Sequence, residues 1–227
     1  VAASQRSAHP KRMATGLMPL IVAIDGPAGS GKSSVSKAVA QRLGFGYLDT
    51  GAGYRAFTLH AMNNPGVLLD DLLASFDYEI SLDPLNPSIL VDSRDVTNAI
   101  RAHEVASRVP EFAKEPRVRS LQHKDARARI ASSEMDGVVA EGRDLTTVVF
   151  ADAQVRILLT ASEEVRLSRR SAEKTESTDN LKARDASDSK VVEFMAPAEG
   201  VSLIDTSDLS FEQSVAAVMA EIERSRA

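Results

Sequence analysis

The chain has 227 residues, of which 43% are hydrophobic, and its 32 acidic residues outnumber 27 lysines and arginines for a formal net charge of −5. This length suits one α/β domain with an insert or a lid, and the acidic balance argues against a general nucleic-acid binder, which needs a basic surface. Because cysteine is absent, a disulfide framework and a cysteine metal site are excluded, and a reducing cytoplasmic location fits. The apolar runs are too short to cross a membrane, so we expect neither a membrane nor a nucleic-acid partner.

The segment 1–19 is polar and basic, with no acidic residue and no continuous apolar run, so it does not look like a secretory signal. We expect a disordered leader without a function. An over-extended start or a cloning remnant is the plainer explanation, because Met18 and Pro19 directly precede the first predicted strand.

An apolar run over residues 20–25 predicts that strand, and a glycine-rich loop separates it from a segment with helical spacing that ends near Gly44. In a loop of the pattern G-x-x-x-x-G-K-[ST], backbone N–H groups point toward phosphates, Lys32 reaches the outer phosphates and Ser33 ligates Mg²⁺. We expect it to bind a nucleoside triphosphate, the alternative being a glycine turn that binds nothing. The residues predicted to contact the triphosphate are Gly26, Pro27, Ala28, Gly29, Ser30, Gly31, Lys32, Ser33 and Ser34.

Four more short apolar runs lie among helical stretches, which is typical of a buried parallel sheet. They cover residues 47–48, 138–140, 155–159 and 201–204. Together with the first strand they predict an α/β fold with a five-stranded parallel core sheet and helices on both faces. Capping-box patterns at residues 160–163 and 210–213 predict helices that begin just after the last two strands.

Two regions interrupt this alternation. Residues 65–116 hold two short strand candidates, at 76–82 and 88–92, and a helical stretch with Arg101, so we expect an insert that closes over a second substrate. Residues 169–191 are polar and almost without large apolar side chains, which predicts a mobile lid. The single predicted domain then consists of a core (20–64, 117–168 and 192–227), the insert and the lid.

Charged side chains follow two of the predicted strands, at the edge where open α/β sheets bind ligands. Asp49, Thr50 and Arg55 come after the second strand, and we expect Arg55 to face the phosphate site. Glu141 and Arg143 come after the strand near residue 138. We expect Glu141 to hold the water shell of Mg²⁺ and Arg143 to take an anionic oxygen, the alternative being an ordinary salt bridge at a strand end.

Arginines also flank the predicted lid. Because phosphoryl transfer depends on positioning and charge neutralisation, a lid that brings Arg184 and Arg169 onto the transferred group suits this reaction. Arg166 and Arg170 rank below them, and a solvated helix face is the alternative for each arginine. The predicted catalytic residues are Lys32, Arg143, Arg169 and Arg184.

The four histidines show no sequence pattern with a carboxylate or a metal partner, so we expect them to be surface or helix residues without a role. An acceptor that is already an ionised phosphate attacks without losing a proton and needs no general base.

Taken together, these segments resemble the bacterial cytidylate kinase family, whose members phosphorylate CMP and dCMP with ATP. The resemblance extends from about Leu20 to the C-terminus. It is carried by the segments 26–33, 48–56, 100–101, 116–119 and 141–150.

The resemblance implies the P-loop kinase fold, ATP and Mg²⁺ as cofactors, and CMP or dCMP as acceptor. We also expect a monomer, located in the cytoplasm. It implies that Arg55 and Arg143 hold the CMP phosphate, that Arg184 approaches it from the lid and that Asp188 binds the ribose hydroxyls. The residues that it implies as CMP contacts are Asp49, Thr50, Arg55, Arg101, Arg119, Arg143, Asp144, Arg184 and Asp188.

Arg119 and Asp144 are the implied readers of cytosine, with Asp144 accepting from the exocyclic amine and Arg119 donating to the ring acceptors. Uracil presents a carbonyl where cytosine presents that amine, so a buried carboxylate would face another acceptor and remain unpaired. This contrast explains selection against UMP.

The chain departs from the family pattern at several positions. Pro110 stands where a small hydroxyl residue is usual, so the contact with the base is lost or supplied by another residue such as Ser107. Val191 stands where a second lid arginine is frequent. Gly53 and Thr146 are expected to be tolerable packing changes.

Two other functions stay open at this stage. One is a P-loop kinase for another small acceptor, such as a different nucleotide or shikimate. The other is a nucleotide-dependent switch or binding module that acts through a partner. The chain has no Asn-Lys-x-Asp tetrapeptide to read guanine, which argues against a GTPase switch.

Overall fold

The computed structural model describes residues 19–172 and 196–226, with side chains described up to residue 169 and from residue 196. The strands are β1 (Leu20–Asp25), β2 (Gly46–Asp49), β3 (Tyr78–Ile80), β4 (Ile89–Val91), β5 (Arg94–Asp95), β6 (Gly137–Gly142), β7 (Val155–Thr160) and β8 (Ser202–Asp205). The α-helices are α1 (Lys32–Leu43), α2 (Thr50–Asn63), α3 (Leu69–Ser75), α4 (His103–Ala113), α5 (Pro116–Ala131), α6 (Glu163–Ala172) and α7 (Phe211–Arg224).

The main sheet has five parallel strands in the order β2-β6-β1-β7-β8. Since β1 and β6 are neighbours, with Asp25 opposite Gly142, the loops that follow these two strands emerge side by side. This arrangement confirms the predicted fold class and places both predicted ligand-binding segments at one edge of the sheet.

Helices cover the sheet on both faces because alternate residues of a strand point to opposite sides. On one face, Val22 and Ile24 pack with α1 and α7. On the other face, Ile21 and Ala23 pack with α5 and with a single π-helical turn over Leu145–Val149. Both layers are apolar, so the strands are buried on each side, as predicted from their continuous hydrophobic runs.

The region predicted as an insert contains the helix α3, a small antiparallel sheet, β3-β4-β5, and the helix α4. A 3₁₀ turn over Ala99–Arg101 lies between β5 and α4. Both predicted short strands are present, although each is shorter than expected. Strand β5 went unpredicted because its two residues are charged and exposed. Ile89, Val91 and Ile100 of this region pack against α2, which ties it to the core.

Two helix boundaries follow their local signals and one does not. Gly44 ends α1 in the left-handed conformation, at φ 66°, and Ser210 forms the predicted capping box at the start of α7. The capping box predicted at residue 160 is wrong. Thr160 pairs with Asp205 as the last residue of β7, and the Ser162 hydroxyl instead accepts a bond from Val165 N at 3.4 Å.

Almost all of the predicted leader and most of the predicted lid lie outside the described residues, and with them Arg184, Asp188 and Val191. Within the described ranges, no helix is both long and apolar enough to cross a membrane.

Candidate active site

A cleft of about 900 Å³ opens at the carboxyl ends of β1, β2 and β6. One wall is the glycine-rich loop with the start of α1, and the opposite wall comes from α4 and α5. The predicted site residues on its lining are Pro27, Gly29, Ser30, Gly31, Lys32, Ser33, Ser34, Asp49, Thr50, Arg55, Arg101, Arg119, Glu141, Arg143, Asp144 and Arg169. The fold therefore brings these donor and acceptor residues to a single cavity. Gly26 and Ala28 do not line it, and Arg184 and Asp188 lie outside the described residues.

The loop between β1 and α1 needs glycine at two positions. Gly29 and Gly31 have φ of 79° and 86°, in the left-handed region that glycine enters without strain. A Cβ on Gly29 would also lie 2.8 Å from the carbonyl oxygen of Arg166, because α6 packs directly onto the loop. Arg166 is buried and donates to the carbonyl oxygen of Ala28 at 3.0 Å. The alternative of a solvated helix face is therefore wrong for Arg166.

Lys32, Ser33 and Glu141 meet at the floor of the cleft. The Ser33 hydroxyl donates to Glu141 Oε1 at 2.7 Å, and Lys32 Nζ lies 3.5 Å from Glu141 Oε2. The hydroxyl of Tyr47 lies 3.4 Å from the same Oε1, and burial, followed by the charge of Glu141, raises its pKa well above the ordinary value. Tyr47 therefore remains a protonated donor, and Glu141 remains bound on both oxygens.

A hydroxyl beside a carboxylate is a donor set that fits a hydrated Mg²⁺. The described residues hold no group of three or more histidine, aspartate or glutamate side chains that could chelate a metal ion by themselves. A magnesium ion at Ser33 and Glu141 would therefore take its remaining ligands from water and nucleotide phosphates, as is usual for this ion.

Asp49 and Arg55 form an ion pair at the start of α2. Asp49 caps this helix by accepting from Ala52 N at 3.0 Å, and Arg55 Nη2 donates to its other oxygen at 2.6 Å. Burial alone would raise the pKa of Asp49, but Arg55, Arg101 and Lys32 outweigh it and hold this pKa below the ordinary value. The Arg55 Nε is buried without a hydrogen-bond partner among the described residues. Arg55 is thus anchored at one nitrogen beside the cleft.

Arg143 and Arg169 both bind the glycine-rich loop. Arg143 Nη1 donates to the carbonyl oxygen of Gly26 at 2.8 Å. Arg169 donates to the carbonyl oxygen of Ser30 at 3.3 Å, and to the hydroxyl and carbonyl oxygen of Thr206 at 3.0 and 2.8 Å. With these bonds Arg169 braces the loop against the segment after β8, a positioning contribution that was not expected from the sequence.

Asp144 lies on the opposite side of the cleft, with 8% of its side chain exposed. Arg119 Nη2 donates to its Oδ2 at 2.5 Å, which brings together the two residues predicted to read the base. His123 Nε2 lies 3.0 Å from the same Oδ2. His123 lies on a helix, as expected, but its contact with a carboxylate was not predicted. The sequence signal that could have found His123 is its i+4 spacing from Arg119 on α5.

The turn that carries Asp144 is tied to β1. Asp25, at the end of β1, accepts hydrogen bonds from Leu145 N at 3.0 Å and from the amide and hydroxyl of Thr146 at 2.7 and 2.6 Å. Burial raises the pKa of Asp25 despite these bonds. Thr146 is therefore a bonded residue, whereas only a packing change was expected there.

Around the predicted acceptor site, Pro110 lies in the expected place, and Ser107 and Thr50 form hydrogen bonds that were not predicted. Pro110 lines the cleft, as its alignment with a base-contacting residue predicts. Ser107 does not replace it, because this exposed residue donates to the carbonyl oxygen of Glu104 and lies outside the cleft lining. Thr50 donates to the carbonyl oxygen of Glu141 at 2.8 Å, so its hydroxyl fixes the end of β6.

Solved structures of other proteins share the fold of this chain. A crystal structure of a protein from Thermus thermophilus, 20% identical, is superposed with a TM-score of 0.50 and covers 91% of this chain and 99% of that one. A gluconokinase from Sinorhizobium meliloti, 16% identical, has a TM-score of 0.52 and covers 91% of this chain and 93% of its own. At such low identity these likenesses concern the fold alone.

The sequence relatives are much closer. A cytidylate kinase from Streptomyces avermitilis is 42% identical over 220 residues, covering 92% of this chain and 94% of the relative. One from Cutibacterium acnes is 40% identical over 213 residues, covering 88% and 95%. The family model described as cytidylate kinase matches residues 22–224. A match over this length, joined to the cleft described above, shows that the chain belongs to the cytidylate kinase family.

Proposed function

We propose that the protein transfers the γ-phosphoryl group of ATP to CMP or dCMP and releases ADP and the corresponding diphosphate. The observation that carries this proposal is the ion pair of Arg119 with the nearly buried Asp144, on the wall of the same cleft that holds Lys32. A carboxylate held in this way accepts from the exocyclic amine of cytosine, and the guanidinium beside it donates to a ring acceptor.

The donor half of the reaction is assigned to the loop between β1 and α1. Its backbone N–H groups and Lys32 bind the phosphates of ATP, while Arg166 and Arg169 hold the loop in place from α6 and the segment after β8. Ser33 and Glu141, which already form a hydrogen bond, would hold a hydrated Mg²⁺. When bound, this ion would supply neutralisation of the charge on the transferred phosphoryl group.

The acceptor half is assigned to Arg55, to Arg143 and to the wall formed by α4 and α5. Arg55 and Arg143 bind the phosphate of CMP, with Arg101 at the rim, and Arg184 and Asp188 belong to the part of the lid outside the described residues. One oxygen of this ionised phosphate attacks the γ-phosphorus in line, and the bond from that phosphorus to the β–γ bridging oxygen breaks. The electron pair leaves with ADP. No proton has to be removed from the acceptor, so no general base is assigned.

The insert is assigned to CMP binding because α4 and the 3₁₀ turn supply one wall of the cleft. Ile89, Val91 and Ile100 hold the insert against α2 of the core, and closure of the insert over the acceptor stays a prediction. The predicted monomeric state and cytoplasmic location stay predictions, as does closure of the lid.

The test is ADP release from Mg-ATP in a coupled assay on the full chain, with CMP, dCMP, UMP, AMP, GMP and shikimate as acceptors. We expect turnover with CMP or dCMP to exceed that with every other acceptor by more than about tenfold. Lys32→Met should abolish it, whereas Lys124→Met, at an exposed position of α5, should not. Preference for AMP, GMP or shikimate would contradict the proposed acceptor, and ADP release that no acceptor stimulates would favour a binding module.

A further inference from the structure

Two side chains of α5 converge on a single oxygen of Asp144. Arg119 Nη2 lies 2.5 Å and His123 Nε2 lies 3.0 Å from Oδ2. The two residues are four positions apart on α5 and therefore share one face of the helix. Among the described residues, Oδ1 of Asp144 forms no hydrogen bond or ion pair. Both contacts of this carboxylate are therefore made by Oδ2.

A contact at this distance depends on which ring nitrogen of His123 carries a proton. An ionised carboxylate oxygen only accepts hydrogen bonds, so a ring nitrogen 3.0 Å away is attracted only when it carries a proton. The Nε2 atom is fully buried and has no hydrogen bond of good alignment among the described residues. The proton consistent with this environment is therefore on Nε2, where a small rotation of the ring aims it at Oδ2.

The position of the proton determines what the carboxylate offers to a ligand. With Oδ2 occupied by two donors, Oδ1 is the oxygen that remains to accept from a group in the cleft. The side chain of Asp144 is only 8% exposed, so it has little freedom to exchange the two oxygens. Cytosine and uracil differ in whether they bring a donor or an acceptor to such an oxygen.

We propose that His123 is a positioning residue for base selection, which donates from Nε2 to Oδ2 of Asp144 and thereby keeps Oδ1 directed at the exocyclic amine of cytosine. This inference rests on the proposed function. The residue does not touch the transferred phosphoryl group, so its effect falls on the choice of base and spares the binding of ATP.

The experiment compares kcat/KM for CMP and UMP, and KM for ATP, in the full chain and three variants. His123→Leu removes the donor, His123→Gln places an amide near the position of Nε2, and His123→Asn has a side chain too short to reach Oδ2. Lys124→Leu, at the next and exposed position of α5, is the matched control.

We expect His123→Leu and His123→Asn to lower the CMP-to-UMP ratio of kcat/KM by about tenfold, the size of a lost hydrogen bond to a charged group. His123→Gln and Lys124→Leu should keep the ratio within about threefold, and KM for ATP should not change. Should His123→Leu fail to fold, the comparison of the glutamine and asparagine variants decides.

The role of His123 is overturned if His123→Leu or His123→Asn leaves the CMP-to-UMP ratio of kcat/KM unchanged, which includes equal losses for both acceptors. In that case, CMP turnover by the unsubstituted protein still upholds the proposed function. Absence of CMP turnover in the unsubstituted protein overturns both.

Discussion

The carboxylate of Asp25 accepts hydrogen bonds from both the backbone amide and the hydroxyl of Thr146, at 2.7 and 2.6 Å. Asp25 directly precedes the glycine-rich loop, and Thr146 lies two residues after Asp144. The same buried contact therefore fixes the start of the donor site and the turn that carries the predicted base reader. A displacement of the glycine-rich loop therefore displaces the turn with Asp144 as well, because packed, hydrogen-bonded groups do not deform independently.

Thr146→Val tests this connection by removing the hydroxyl while keeping the shape of the side chain. We expect the free energy of unfolding to fall by about 1.5 to 3 kcal/mol, the range for a hydrogen bond to a buried charged group. Denaturant unfolding measures it. Thr147→Val, at the exposed neighbouring position, is the control and should change stability by less than about 0.5 kcal/mol. Equal effects of the two substitutions would show that the bond to Asp25 adds nothing.

Asp144→Ala tests base reading. We expect kcat/KM for CMP to fall by about 100-fold or more, because the cytosine amine loses its acceptor and Arg119 loses its partner. The dissociation constant of ATP should change less than about threefold, since Asp144 lies on the wall opposite the loop. Steady-state kinetics and isothermal calorimetry provide the two readouts. If ATP binding weakens as much as CMP turnover does, the assignment of Asp144 to the base fails.

Asp49→Asn tests the ion pair with Arg55 through its dependence on pH. Since the pKa of folded Asp49 is below its ordinary value of 3.8, its ionised form stabilises the protein. That stabilisation is fully present above pH 3.8 and is lost as the pH falls through the lower, folded pKa. We expect Asn to cost about 3 kcal/mol near pH 7, because it leaves a half-buried guanidinium without its partner.

The measurement is denaturant unfolding of both proteins between pH 7 and pH 3. The difference in unfolding free energy should stay level down to about pH 4 and shrink below it. Asp70→Asn, an exposed carboxylate that pairs with Arg117, is the control. A difference that grows toward acid pH would contradict the lowered pKa of Asp49.

Gly53→Ala tests the packing between α2 and α5. An added Cβ would lie 2.2 Å from Gln122 Oε1, so in the native background alanine should destabilise by about 1 to 3 kcal/mol through overpacking. In a Gln122→Ala background that clash is gone, and the same substitution should stabilise by up to about 1 kcal/mol through helix propensity. Thermal unfolding of the four proteins gives the coupling. Additive effects would mean that Gln122 moves aside without cost.

The main sheet could be predicted because its strands are continuous apolar runs, buried on both faces, and the loop after β1 because its glycines and lysine form one local pattern. The convergence of Arg119 and Asp144 was anticipated only through the family resemblance. No spacing in the sequence relates these two residues, which are 25 positions apart and approach across the fold.

What could not be predicted depends on tertiary contacts. Thr160 and Ser162 are both acceptable caps, and pairing with β8 decides between them. Arg166 looks like a surface residue until α6 packs on the loop. His123 looks unpartnered because its carboxylate lies 21 positions away, on another element. Strand β5 has no apolar pattern because it is a two-residue edge.

The pairing of β1 with β6 determines the distance between the donor loop and the turn that carries Arg143. Asp25 and Gly142 are opposite residues in that ladder, so the loop bearing Lys32 and the turn bearing Arg143 start at the same level. The spacing of the two phosphate sites is thereby set by backbone hydrogen bonds, and a slip of one residue would shift one site by about 3.3 Å against the other. Side chains around the base can therefore change during evolution, exchanging one acceptor for another, while the distance crossed by the phosphoryl group stays the same.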